Sequence, residues 1–284
     1  MAESLRPLWD FDDLDATQQR LLDRLALERS DERRAEVLTQ LARVAGLRGD
    51  FEAGDRMLDE AADLAPDSDL ARAWIDLERG RLRRSSGDRG SAFPLFESAF
   101  ATAQEAGEGF AAGDAAHMAA LAAPDREGFV AWTQRGVKLA EENEAASYWL
   151  GPLLNNLGWE HYEAGEYTLA LDAFERALLV RECDPDQQAP IEIARYAVGK
   201  TLRALGRSDE AIPLLETAVA WAERVGKPDG WFHEELAEEY AAAGRLHDAR
   251  GQAMLAIPLL EGDDPSFADD EERRRRLAAL ADES

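Results

Sequence analysis

The chain has one cysteine, Cys183, so no disulfide can close within it and a reducing compartment fits. Cys183 lies in the Arg181–Pro185 loop, where the flanking acids Glu182 and Asp184 disfavour a thiolate and so speak against a reactive nucleophile. Lysine is nearly absent. Lys138, Lys200 and Lys227 are the only three, and the remaining positive charge is arginine, a bias of a high-GC or salt-adapted genome and not a functional mark. Positive charge of any kind is scarce: the net charge is −26, which repels phosphate backbones and anionic lipid headgroups and argues against nucleic acid and membrane partners. No apolar run approaches the ~20 residues of a spanning helix. No basic-then-apolar leader opens the chain. A soluble cytoplasmic protein is expected. The motifs of phosphate and acyl chemistry are missing too: no Walker-type glycine loop, no G-x-G-x-x-G after a strand, no G-x-S-x-G. There are four histidines, His117, His161, His233 and His247. His233-Glu234-Glu235 opens like a zinc-protease helix, but Ala237 stands where the second histidine belongs. His117 follows Asp114 by one helical turn, and two ligands do not define a metal site. His161 falls on an inward position and reads as a hydrogen-bonded core residue. No enzymatic activity, cofactor or metal is expected.

What the chain has is alanine, leucine and a period. Hydrophobic residues make up 45%, and their Ala/Leu richness favours helix over strand. The stretch Leu154–Leu178 reads as two amphipathic helices joined at Gly165-Glu166. Small residues at Gly158, Ala170 and Ala177 allow close approach, and Phe174 fills the space between. Measured from Gly165, small or apolar residues recur at +5, +9 and +12, and the same offsets recur from Gly49, Gly87, Gly206 and Gly244. The intervals are 38 (49 to 87), 78 (87 to 165), 41 (165 to 206) and 38 (206 to 244). The 78 is two periods of 39, so a degenerate repeat lies near 108–142, with Phe129, Trp132 and Gly136 in its second helix.

This L-G…A-x3-F pattern, carried by Leu157, Gly158, Ala170 and Phe174 with His161 where tyrosine is usual, resembles the tetratricopeptide repeat. The long period and Leu-Asn-Asn-Leu at 154–157 are similar to kinesin light chains and to bacterial regulators with repeat sensor regions. The resemblance implies an all-α, right-handed superhelical solenoid of antiparallel helix pairs, about six repeats, with N- and C-terminal capping helices. The whole chain, 1–284, is expected to be one such domain: a lead-in and capping helix over 1–30, repeats over 31–262, and a capping helix over 263–284.

Along the chain, Pro7, Trp9 and Phe11 sit among acids, either as a lead-in packed on the first helix or as a segment docking in a groove of its own or a neighbouring chain. Asp15–Gln18 has the form of a capping box for a helix ending near Leu27, and Ser30 suits the next cap. Repeats are expected at about 31–66, 69–106, 108–143, the Leu154 stretch, 188–226 and 229–260. Arg79 and Arg83 fall where apolar residues belong, which a slip of a residue or two in Arg83–Gly87 explains. Pro94 and Pro213 predict second helices that start late or bend. Arg273–Arg276, neutralised by Asp269–Glu272, reads as the solvated face of a capping helix.

On the family pattern the first helices present positions −13, −10, −6 and −3 from the turn glycine to a ligand, and one helical face carries those spacings. Repeat one shows Glu36, Thr39 and Arg43 there. The predicted peptide-binding residues are Asn155, Asn156, Trp159 and Tyr162 in repeat four, Tyr196, Lys200 and Arg203 in repeat five, and Trp231, Glu234 and Glu238 in repeat six. The aromatics with a cation beside them suit an extended peptide with an apolar anchor and a carboxylate. The competing reading has Trp159 and Tyr162 packing between neighbouring first helices. Ile193 and Ala197 stand where the family's carboxylate clamp needs basic residues. Three functions stay open. The first is a non-enzymatic scaffold for a peptide or protein segment. The second is a regulatory sensor module, binding a signalling peptide or small ligand and acting in trans on a transcription factor or phosphatase. The third is a homo-oligomer built through the N-terminal segment.

Overall fold

The computed structural model describes residues 2–184 and 188–282, so Pro185 of the cysteine loop lies outside it. Among the described residues there are 14 α-helices and no strand. They gather in two compact units, Met1–Leu153 and Leu154–Ser284. The first contains a 3-10 helix, Ala2–Leu8, then α1 (Leu14–Leu27), α2 (Asp31–Leu47), α3 (Phe51–Leu64), α4 (Asp69–Ser85), α5 (Arg89–Glu105), α6 (Gly109–Ala122), α7 (Arg126–Glu142) and a second 3-10 helix, Glu144–Trp149. There follow α8 (Leu150–Glu163), α9 (Tyr167–Glu182), α10 (Gln188–Ala204), α11 (Ser208–Arg224), α12 (Gly230–Ala242), α13 (Leu246–Asp263) and α14 (Glu271–Asp282).

The punctuation is local chemistry. All five ruler glycines, Gly49, Gly87, Gly165, Gly206 and Gly244, have φ between 72° and 92°, a region that costs any other residue strain. The residue after the glycine often caps the next helix: Asp50 and Asp88 accept the backbone N–H groups of Ala53 and Ser91. In the repeat without a turn glycine, Asp125 does the same for Gly128 at 2.8 Å. Between these stops, pairs pack through one contact repeated with variation. Phe96 lies on Gly80, Phe174 on Gly158 and Leu215 on Gly199, each large side chain against a glycine seven residues before the turn.

Within each unit every helix packs on its successor, and first helices also pack on first helices, α2 on α4, α4 on α6 and α10 on α12. That nearest-neighbour pattern is the signature of a repeat array. The core of the first unit centres on Trp74, Phe96, Phe100, Phe110 and Trp132, and that of the second on Phe174, Leu215, Phe232 and Leu236. Phe267 and Leu277 close the C-terminal end against Ala253, Ala256 and Leu260.

Four local expectations need correction. The cap of α1 is Asp13, which accepts from Ala16 N at 2.9 Å, so the helix begins ahead of the Asp15 box. Ser30 occupies the cap position of α2 without a side-chain hydrogen bond. There is no slip before Gly87: Arg83 and Arg79 point at α3, where they pair with Asp55 and Asp59 at 2.7 Å. The helices with Pro94 and Pro213 start on time, at Arg89 and Ser208, and run through their prolines. Thr217 Oγ1 donates to the Pro213 carbonyl at 2.8 Å.

Candidate functional site

In the second unit, α8 carries Trp159 and Tyr162 on one face, and α10 carries Tyr196, Lys200 and Arg203 at spacings of four and three. These side chains meet. Trp159 lies edge-on to Phe174 at 5.0 Å and to Tyr162 at 5.6 Å, and tilts toward Tyr196 at 6.3 Å. Tyr196 continues the row to Phe232 of α12 at 5.4 Å. Trp159, Tyr162 and Tyr196 are partly buried, so they pack against the core and still keep an open edge. Burial pushes the Tyr196 hydroxyl up to about 12, with Lys200 opposing the rise.

The two cations do not stand alone. Lys200 Nζ lies 2.9 Å from Glu235 Oε2 and 5.6 Å from the Tyr196 ring centroid, and Arg203 donates to both Glu235 oxygens. Glu235 is 1% exposed. Burial alone would raise its carboxyl, but Lys200 and Arg203 outweigh burial and hold it below the usual range. Burial likewise opposes the charge on Lys200, and Glu235 more than restores it. Sequence reasoning missed Glu235 because it falls at −9, between the positions assigned to the ligand face.

The remaining predicted residues divide. Asn155 is partly buried, and its Oδ1 has no partner among the described residues. Asn156 is partly buried as well. Glu234 and Glu238 of α12 are held by α14. Arg273 donates to Glu234 at 2.5 and 2.7 Å and to Asp264 at 2.8 Å, and Arg276 donates to Glu238. Of the Arg273–Arg276 run, Arg274 and Arg275 are solvated as expected, whereas Arg273 turns inward and fastens the capping helix. Trp231 packs with that C-terminal cluster and not with the aromatic row. His161 Nδ1 donates to the Glu166 carboxylate at 2.6 Å, across its own turn, and His233 Nδ1 donates to the Gln252 side-chain carbonyl at 2.6 Å.

The first unit has its own polar interior. The N-terminal segment lies in a groove of this unit: Leu5 is buried, the Trp9 indole donates to Gln40 at 3.1 Å, and Arg20 holds the Leu8 carbonyl at 2.8 Å. Trp9 stacks on Phe11 at 5.0 Å, and the Arg6 guanidinium covers Tyr148 at 3.8 Å. Behind it Arg81 pairs with Glu78 at 2.5 Å and with Asp114 of α6. Among the described residues no group of three or more His, Cys, Asp and Glu could hold a metal ion, and no helix is long and apolar enough to cross a membrane.

Comparison with known proteins bears on the fold. Tetratricopeptide repeat models match residues 153–182 and 194–224. No curated protein matches the chain in sequence. Among solved structures, the apo form of RapI superposes with a TM-score of 0.73 at 12% identity, covering 98% of this chain and 78% of that one. The signal transduction ATPase PH0952 from Pyrococcus horikoshii, with its tetratricopeptide repeat sensor, gives 0.71 at 12% identity, covering 93% of this chain but only 42% of that longer one. NprR in complex with its cognate peptide NprX gives 0.51 at 16% identity, covering 98% and 81%. The chain thus carries tetratricopeptide repeats matched by sequence over 153–182 and 194–224, within a helix-pair architecture shared with solved repeat proteins.

Proposed function

We propose that the chain is a non-enzymatic scaffold that binds a peptide or protein segment along the first helices of its second unit. The reading rests on one observation: the open-edged row of Trp159, Tyr162 and Tyr196 with Lys200 and Arg203 beside it. Rigid aromatic edges bury much apolar area at little entropy cost and commonly anchor such contacts. Lys200 and Arg203 share one carboxylate, Glu235, and put two cations beside the row in a chain of net charge −26. An acidic group on the bound segment would complete it. NprR is a protein of this architecture solved with a peptide, and it lends the reading a precedent of fold alone.

Selection from a random peptide library tests it. Binders should enrich for aromatic and acidic residues, and Tyr162→Ala should weaken them by about tenfold or more while helicity by circular dichroism is kept. A library that yields no binder, or binders indifferent to Tyr162→Ala, sinks the proposal.

A further inference from the structure

The N-terminal segment of the first unit is tied firmly at one end and seated lightly at the other. Its later half is fastened to α1. Arg20 Nε donates to the Leu8 carbonyl at 2.8 Å, the Asp10 N–H donates to Thr17 Oγ1 at 2.8 Å, and that hydroxyl donates to the Asp10 carbonyl at 2.9 Å. Across the groove the hold is thinner. Among the described side chains of residues 5–12 only Leu5 is buried; Leu8 and Trp9 are partly buried, and Phe11 is 62% exposed. The Trp9 indole reaches α2 through Gln40, Arg43 of α2 lies over the Trp9 and Phe11 rings at 5.2 and 5.6 Å, and Arg6 rests on Tyr148. Segments with so little buried apolar surface open locally at a small fraction of the global stability.

The groove is covered by this segment without being matched by it. A cavity of ≈ 90 Å³ lies beneath, walled by Trp9 and Phe11 of the segment, Trp74 of α4, Phe110 of α6, and Tyr148 and Trp149. Trp74 is 1% exposed, yet its indole N–H has no acceptor among the described residues, and the buried indole N–H of Trp149 has none either. A buried donor loses its water partner and gains nothing where no acceptor replaces it. Trp9, by contrast, has its acceptor, so the shortfall belongs to the groove and not to the segment. The groove wall holds its own shape: Phe110 lies 6.5 Å from Trp74 and 5.5 Å from Trp149, and Trp149 lies 5.4 Å from His117.

We propose that residues 2–11 form a reversible strap, an internal occupant that closes the groove of the first unit and can be replaced by a polypeptide segment from outside. The replacing segment carries an aromatic side chain where Trp9 sits and presents uncharged amide carbonyls to the Trp74 and Trp149 indoles. The ties to α1 keep the strap at high effective concentration when it lifts, so it competes with any outside segment and lowers that segment's apparent affinity. The device belongs to the first unit alone and does not depend on the aromatic row of the second.

Two measurements on the full chain test it. In the first, hydrogen exchange of the Trp9 indole N–H is followed by NMR at rising sub-denaturing urea. Exchange by strap opening should be nearly indifferent to urea, whereas core amides of α4 should slow or quicken with global stability. In the second, a fluorescent peptide of residues 2–13 is offered in trans. It should bind the full-length Leu5→Glu variant, whose strap is loosened, at least about tenfold more tightly than it binds the wild-type chain. The same peptide with Trp9→Ala should bind that variant about tenfold more weakly. Arg20→Ala cuts the Leu8 tie from α1 and leaves the groove wall untouched, so it should favour the peptide in the same direction even where Leu5→Glu fails to keep its helicity by circular dichroism. Trp9 exchange that follows global unfolding, no binding to either loosened variant, equal affinity in loosened and wild-type chains, or indifference to Trp9→Ala in the peptide overturns the proposal.

Discussion

Glu235 is the residue on which most depends in the second unit. It sits 1% exposed between Lys200 and Arg203, and its carboxyl lies below its ordinary 4.5. A depressed carboxylate contributes stability that is fully present above its unfolded pKa and is lost as pH falls through the folded value. Lys200, raised above 10.5, contributes stability present below that value and lost as pH climbs through its folded one. The triad thus stabilises across the whole interval between. Glu235→Gln leaves two cations facing a neutral amide and should cost about 3 kcal/mol at neutral pH. As pH falls through the folded value of Glu235, which lies below the ordinary 4.5, the wild-type carboxylate is itself protonated, so the gap should narrow there. Urea melts of both proteins at neutral and acid pH measure this, and a gap that stays constant with pH would mean that the ion triad is not its source.

At the scale of the helix pair, glycine does two unlike jobs. A Cβ on Gly158 would come within 2.5 Å of the Phe174 ring, whereas one on Gly251, in α13, meets nothing within 4 Å. Gly158→Ala should therefore destabilise by about 1–3 kcal/mol through overpacking. Gly251→Ala should stabilise by up to about 1 kcal/mol, because the same methyl only improves helix propensity. Thermal melts of the two variants, read side by side, check the pair, and equal effects would contradict the packing described. This contrast also explains what was legible in the sequence. The turn glycines could be found because left-handed backbone demands glycine locally, and the large residue at +9 could be found because it pairs with a glycine a fixed distance away. Ion-pair partners could not. Arg203 and Glu235 are 32 residues apart, Arg273 and Glu234 39 apart, and with 58 acidic residues in the chain no local rule says which carboxylate an arginine will choose. The face of Trp159 and Tyr196 was readable from helical spacing. That Glu235 neutralises part of it, and that α14 covers Glu234 and Glu238, follows from packing between repeats. The unpaired indole of Trp74 in the first unit likewise emerges only when the first helices are set side by side.

For the molecule as a whole the dominant quantity is its charge of −26, spread over repeats whose ion pairs are individually short-ranged. Self-repulsion of that size opposes compactness and is screened by salt. The melting temperature should rise by several degrees between roughly 10 mM and 200 mM sodium chloride. A fall would show that the ion pairs, and not the net charge, set the balance. The same composition makes Lys200 unusual in a practical respect. Of the three lysine side chains, Lys138 is 74% exposed and Lys227 is exposed, while Lys200 has its ammonium committed to Glu235. Amine-reactive dyes and cross-linkers therefore have two accessible lysine side chains, one on α7 and one in the turn before α12, and neither belongs to the aromatic row. Those two lysines can be labelled without touching the surface on which its partner is expected to dock.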